Sequence, residues 1–247
     1  MKDNFSVQSN LYAQYRPVYP QAVYDFILPL VQTKQIAWDC GTGNGQVAYE
    51  LSKHFHTVHA TDISEKQINN AMPAKNIFYK VEQAEHTAFP DRSFDLITVA
   101  QAIHWFDFDA FYKEVNRVLK PDGIFAVIGY GLCSIDEATD KTLNYLYKDI
   151  TDPYWDPERI LVDEHYQTIP FPFKEIASPK LFIVKEWTFD HFIGFLNTWS
   201  GVQHYIKANE NNPIDLVYDH FKKHWKENET KQVKFPVLLR VGKTANS

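Results

Sequence analysis

Between residues 41 and 45 the chain places glycine at every second position, in "AWDCGTGNGQ" (37–46), directly after an apolar run and an acid. Glycine loses more backbone freedom on folding than any other residue, so this density marks a loop whose backbone comes close to a partner. The preceding "QIAWD" (35–39) is a compact apolar run and reads as a buried strand. The following "GQVAYELSKHF" (45–55) carries apolar side chains at helical spacing. Strand, glycine turn and helix together open a βα unit, and such units stack into a parallel sheet.

The next hundred residues repeat the pattern. "TVHATD" (57–62) reads as a second strand ending in an acid, followed by a helical "ISEKQINNAM". "IFYKVEQAE" (77–85) is a third strand and "FDLITVAQ" (94–101) a fourth, apolar enough to be buried on both faces. "DFDAFYKEVNRVLK" (107–120) is an amphipathic helix stopped by Pro121 and Gly123, and "IFAVIGYG" (124–131) is a fifth strand. Right-handed crossovers put the loops after these strands along one sheet edge, where open α/β sheets bind ligands. The glycine loop, Asp62 and "AQAIHWF" all fall on that edge.

Beyond residue 132 the rhythm breaks. A helical stretch near 135–150 leads into "TDPYWDPERILVDEHYQTIPFPF", rich in proline and aromatic residues. A strand is expected at 180–188, helices near 189–207 and 213–226, and a last strand at 233–242. The expected organisation is an N-terminal arm and helix (1–33) that closes over the ligand, an α/β core (34–132), a lid insertion (133–179), and late strands and helices (180–247) that complete the sheet and cap. Aromatic residues make up 15% of the chain. Tyr154, Trp155, Tyr166, Phe171, Phe173, Trp199 and Tyr205 suit a water-excluding lid over a small ligand, or the lid's own packing.

Composition narrows the partners. No apolar run approaches the length of a membrane span, "MKDNFSVQSN" lacks a hydrophobic signal segment, and the expected location is cytoplasmic. The two cysteines, Cys40 and Cys133, cannot make a thiolate metal cluster, and no metal site is expected. A formal net charge of −6 argues against general affinity for nucleic acid.

The acid before the loop helps to separate two ligand classes. A dinucleotide site spaces its glycines G-x-G-x-x-G and offers helix N–H groups to a pyrophosphate. Here the spacing is G-x-G-x-G and Asp39 precedes it. A carboxylate about 5 Å from a phosphate costs on the order of 3 kcal/mol per charge pair at an effective dielectric near 20. An ammonium-bearing nucleoside gains instead, and S-adenosylmethionine is such a ligand. Asp62, at the end of the second strand, is placed to accept bonds from both ribose hydroxyls; alternatively it caps the next helix.

With these residues in view, "AWDCGTGNGQVA", "HATDIS", "QAEHTAFPDRSFDLITVAQAIHWFD" and "EVNRVLKPDGIFAV" resemble the successive motifs of class I S-adenosylmethionine-dependent methyltransferases, of the methyltransferase type 11 group. "YRPVYP" and "AQAIHWFD" resemble the small-molecule subgroup that includes trans-aconitate methyltransferases. The likeness covers about residues 10–132 and continues more loosely through "YWDPER" and "NTWSGVQHY". It implies a Rossmann-like α/β fold, a mostly parallel sheet of seven strands with the last antiparallel, and a helical lid. It also implies the site. Asp39 and the backbone of Gly41 would hold the methionine ammonium and Asp62 the ribose, with Gly43, Gly45 and Ile63 also against the cofactor. Ala84 and Glu85 would lie beside the adenine, where Gln83 stands in place of the Asp common in relatives and can still accept. Ala100 and Gln101 would lie beneath the sulfonium, with Tyr15 and Arg16 closing over the cofactor.

Methyl transfer mostly needs alignment and dryness, with a base only where the nucleophile arrives protonated. His104 is a base, a hydrogen-bond donor to the acceptor, or a packed loop residue. Trp105, Tyr154, Trp155, Arg159 and Trp199 are the other candidate acceptor contacts, with Arg159 either the cation for an acidic acceptor or a surface partner of Asp156 or Asp163. The expected activity is methylation of a small molecule, and more narrowly of a small carboxylic acid on oxygen, by a monomer or homodimer. The alternatives are another acceptor (an amine, a phenol, RNA or protein) or a cofactor-binding protein without turnover.

Overall fold

The computed structural model describes residues 14–226 and 228–244. The first thirteen residues of the expected arm lie outside the described part. Eight strands form the sheet: β1 (Ile36–Cys40), β2 (Thr57–Asp62), β3 (Ile77–Val81), β4 (Phe94–Ala100), β5 (Leu119–Tyr130), β6 (Phe173–Ile176), β7 (Phe182–Thr188) and β8 (Thr230–Thr244). Their order is β3-β2-β1-β4-β5-β8-β6, with β7 pairing β8 off this path. Strands β1 to β5 are mutually parallel, and β8 runs antiparallel to β5, β6 and β7. This is the expected Rossmann-like sheet, with eight strands in place of seven. The additional short strand β6 comes from the span expected to be pure lid.

Alternation along the strands makes two cores. Trp38, Ile97, Phe125 and Val127 bury one face of the sheet with the helix Phe108–Val118. Ala37, Leu96, Ala126 and Ile128 bury the other with the helices Gln21–Ile27 and Gln46–Ser52. Side chains two apart share a face and neighbours oppose, so every central residue is used. The expected boundary near Pro121 shifts: the helix ends at Val118 and β5 begins at Leu119. Leu119 pairs with Phe94 and Ile124 with Leu96, so residues 120–123 loop out of the ladder.

A third core belongs to the cap. Leu143, Tyr147, Trp187, Phe192, Phe195, Phe221, Trp225 and Phe235 pack largely ring against ring. Most of the chain's aromatic excess in the late region therefore packs the cap itself. Phe171 and Phe173 pack on Phe125 below the sheet, away from any lid. Strand β8 is the beam between cap and sheet: residues 230–236 pair with β7, and 237–243 pair with β5. The changeover falls at Pro236, which has no N–H to give either ladder, while its carbonyl accepts from Gly131.

Strands β1 and β4 are neighbours, and the chain runs on from β1 to β2 on one side of that pair and from β4 to β5 on the other. The loops after β1 and β4 part there and open a crevice at the carboxyl edge.

Candidate functional site

The crevice is walled by Arg16, Gly41, Gly43, Asp62, Ile63, Ala100, Gln101 and Trp105 among the sequence-predicted residues, with Thr42, Gln67 and Tyr130 beside them. It holds about 890 Å³ of open space counted out through its mouth. All three loop glycines have positive φ, each for its own reason. A Cβ on Gly41 would stand 2.7 Å from Ala102 Cβ, and one on Gly45 would collide with the Tyr79 hydroxyl. A Cβ on Gly43 would meet nothing within 4 Å, because that side of Gly43 faces open space. Gly41 and Gly45 are needed for the protein's own packing. Gly43 leaves room for a ligand.

Asp39 lies under the loop, fully buried, and does not wall the crevice. One of its oxygens accepts from Thr42 Oγ1 and Ala48 N, the other from Thr98 Oγ1. Burial pushes its carboxyl up to about 6 against the pull of those three donors, and the nearby Asp62 carboxylate pushes the same way. In this conformation Asp39 ties the glycine loop to the first turn of helix Gln46–Ser52 and to β4. Asp62 does wall the crevice: Oδ2 accepts from Gly43 N at 2.8 Å and Oδ1 from Ser64 N at 2.9 Å. Helix Glu65–Asn69 takes its cap from Ser64 rather than from Asp62.

The loop after β4 is held differently. Gln101 adopts φ 54°, a left-handed conformation that is costly without glycine. Its side-chain amide then pairs with the main chain of Tyr130, accepting from N at 2.8 Å and donating to O at 3.3 Å. Arg16 crosses the crevice mouth, donating to the Tyr130 hydroxyl at 2.8 Å and the Thr198 carbonyl at 3.0 Å. It thus joins the sheet to the cap.

Arg16, Gln101 and Trp105 also wall a second pocket, completed by His104, Trp155, Asp156, Arg159, Trp199 and Ser200. The two cavities share those three walls, which puts a ligand in one beside a ligand in the other. His104 is buried, with Nδ1 3.0 Å from the Tyr166 hydroxyl. Burial, helped by the Arg159 cation, pushes its imidazole down to about 3, so it is neutral at physiological pH. Arg159 donates through Nε to the Tyr147 hydroxyl at 2.7 Å and to Asp163 at 3.3 Å, and its guanidinium lies 5.1 Å from the Trp155 ring. Its two terminal nitrogens donate no hydrogen bond among the described residues. Arg159 thus pairs with Asp163, as the surface alternative has it, and it also walls the pocket.

Other sequence-predicted residues lie elsewhere. Tyr15 stacks edge-on against His191 and covers Gly194 on the helix Phe189–Asn197, so it anchors Arg16 without walling the crevice. Tyr154 sits on the cap's outer side against Tyr205 and Asn209. Gln83, Ala84 and Glu85 do not wall the crevice: Gln83 is exposed, Ala84 is buried in the core, and Glu85 accepts from Asp107 N. Sequence reasoning missed Thr98, Tyr130 and Tyr147, and named Tyr166 only as a lid aromatic, without its contact to His104. Thr98 was within reach, because parallel register pairs it with Asp39. The three tyrosines carry no local spacing signal.

The methyltransferase domain family matches residues 38–127, from the β1 tryptophan through most of β5. A candidate methyltransferase of Dictyostelium discoideum is 32% identical over 249 residues, spanning 98% of this chain and 95% of the relative. The solved structure of a candidate type II methyltransferase from Anaeromyxobacter dehalogenans shares 36% identity at a TM-score of 0.86, over 93% of this chain and 98% of that one. A mitochondrial arginine hydroxylase of Rattus norvegicus is 30% identical over 115 residues, 44% of this chain and 33% of its own. No helix among the described residues is long and apolar enough to cross a membrane.

Proposed function

The chain belongs to the S-adenosylmethionine-dependent methyltransferases, and from that premise we propose that it methylates a small carboxylic acid on oxygen, in the pocket between Arg16, Trp105 and Arg159. The cofactor fits the crevice as found. Gly43 leaves a side chain's worth of space, Asp62 offers a carboxylate at the end of β2, and no lysine or arginine of the glycine loop waits for a phosphate. Asp62 would hold the ribose hydroxyls, the backbone of Gly41 and Gly43 the amino-acid end, and Ala100 and Gln101 the floor. Asp39 would act through the loop it braces. Bound there, the cofactor would supply an electrophilic methyl carbon: the new O–C bond to a carboxylate oxygen would form as the C–S bond breaks, with its electron pair left on sulfur and no proton released.

The observation that carries the acceptor class is Arg159. A guanidinium lying over the Trp155 ring, 21% exposed, whose two terminal nitrogens donate no hydrogen bond among the described residues, presents the fork that a carboxylate matches. Neutral His104 adds no second cation, but a single ring nitrogen remains for the acceptor. A base whose conjugate acid sits near 3 is too weak to strip a phenol, alcohol or ammonium at neutral pH. A carboxylate arrives already anionic and needs no base. The second pocket, about 490 Å³ out to its mouth, has the size of a small-molecule site. The resemblance of "YRPVYP" and "AQAIHWFD" to trans-aconitate methyltransferases points the same way.

The test is a turnover screen with methyl-labelled S-adenosylmethionine over small acids, amines and phenols, read by mass spectrometry. A base-labile methyl ester is expected from at least one acid. Robust methylation of an amine or phenol, with no acid turned over, would overturn the carboxylate assignment and leave methyl transfer standing.

A further inference from the structure

After the helix Arg159–Asp163 the chain places two consecutive residues, His165 and Tyr166, in the left-handed region, at φ 55° and 60°. Neither is glycine or asparagine, and such backbone costs on the order of 1–3 kcal/mol per residue. Several features hold it there. Tyr166 N donates back to the Leu161 carbonyl, and the Tyr166 carbonyl accepts from Arg240 Nη1 at 3.0 Å. The ring, fully buried, lies over Gly129, where a Cβ would come within 2.6 Å of it. This placement brings the phenol to Nδ1 of His104 at 3.0 Å, with the two rings near parallel at 5.9 Å.

We infer that Tyr166 is a positioning residue: its hydroxyl donates to Nδ1 of His104, holds the imidazole as its Nε2–H tautomer, and makes His104 a hydrogen-bond donor to the acceptor rather than a base. The role toward a carboxylate rests on the acceptor reading above; the tautomer does not. A neutral imidazole has one donor and one acceptor nitrogen, and the bond made by the first decides what the second offers. A phenol is a better donor than acceptor, and the lone pair of a neutral imidazole is the stronger acceptor of the two groups. Nε2 then carries the proton. It makes no hydrogen bond among the described residues, and His104 walls the pocket that Arg159 also walls. The N–H and the guanidinium are then carried by two walls of one pocket. A base would need the opposite arrangement, with Nδ1–H given to the phenol and a bare Nε2 facing the pocket.

Long-range proton–nitrogen correlation on the full chain, labelled at the histidine ring nitrogens, reads the tautomer directly and needs no acceptor. His104→Gln identifies the signals among the ten histidines. The expected spectrum at pH 7 shows His104 protonated on Nε2 and bare on Nδ1. In Tyr166→Phe, which removes only the hydroxyl, the pattern is expected to move toward a mixture of tautomers. The KM for an acid acceptor is expected to rise about three- to tenfold, the effect of one lost hydrogen bond, with S-adenosylhomocysteine affinity unchanged. A wild-type ring protonated on Nδ1 overturns the inference whether or not the variant folds. Ring signals unchanged in folded Tyr166→Phe overturn it as well. The expected tautomer in a protein that methylates no acid supports the positioning role and removes the carboxylate reading alone.

Discussion

The two sides of the candidate site are made of different material. The cofactor side is backbone: three positive-φ glycines, the N–H of Gly43 held by Asp62, and a loop braced from below by Asp39, Thr42 and Thr98. These residues are contributed by β1, β2, β4 and the turns that leave them. The acceptor side is side chain: Arg16 from the N-terminal segment, His104 and Trp105 after β4, Trp155 and Arg159 from the cap's first half, and Trp199 from its second. Backbone cradles tolerate little change, because no rotamer can move away. A pocket of long side chains from four segments can alter its shape by substitution without disturbing the sheet. The comparison implies that cofactor affinity and acceptor recognition are separable by mutation.

The largest effect expected is at Gly43. Gly43→Val puts a β-branched residue at φ 54° with its side chain in the ligand's space, and S-adenosylhomocysteine affinity should fall about 100-fold or more in a folded protein. Calorimetry with a circular-dichroism control measures this. Asp62→Ala removes the acceptor of two backbone N–H groups as well as the ribose contact proposed for it, which corresponds to about 2–3 kcal/mol of cofactor binding. Acceptor KM, measured at saturating cofactor, should stay near the wild-type value.

On the acceptor side the dryness of the pocket has its own signature. The folded-state pKa of His104, about 3, lies below its ordinary value, so the unfolded chain binds more protons between the two. Its contribution to stability is complete above pH 6.5 and is lost as pH falls. Relative to His104→Gln, the wild type should lose about 2 kcal/mol between pH 6.5 and 5, in denaturant unfolding at each pH. Arg159→Ala is expected to raise KM for an acid about tenfold while leaving S-adenosylhomocysteine affinity within twofold.

The smallest effect is the sharpest probe of the cap. Tyr147 stands on a π-helical turn, Leu146–Ile150, and does not wall the pocket, yet it organises three residues that do. Its hydroxyl accepts from Arg159 Nε, its carbonyl accepts from Trp155 Nε1, and its ring packs on Trp199. Tyr147→Phe keeps the ring and loses the bond, so acid KM should rise about two- to fivefold. Initial-rate kinetics at saturating cofactor resolve that change.

The same contrast explains what the sequence disclosed. Gly41, Gly43, Gly45 and Asp62 were legible because the βα pattern places them on one sheet edge, and spacing along the chain reports their job. Gly43 and Gly45 look alike in sequence, though, and only packing against Tyr79 separates the structural glycine from the one that leaves ligand space. Asp39 was read as a ligand contact, since a loop-entry acid says nothing of its own burial beneath Thr42 and Thr98. On the acceptor side, His104 and Arg159 were found through chemistry, and the tyrosines behind them were not. Tyr147 and Tyr166 reach their partners across 12 and 62 residues respectively, through tertiary packing that no local period encodes. Strand β6 escaped for a related reason: four residues in a proline-rich stretch become a strand only because β8 offers an edge.

The separability of the two sides is tested most directly by titrating S-adenosylhomocysteine calorimetrically into the wild type, Gly43→Val and Arg159→Ala under one condition. Saturable one-site binding is expected in the wild type, the same dissociation constant within twofold in Arg159→Ala, and no measurable binding in folded Gly43→Val. Undiminished binding to Gly43→Val, or its loss in Arg159→Ala, would contradict a backbone-built cofactor site that stands apart from a side-chain-built acceptor pocket.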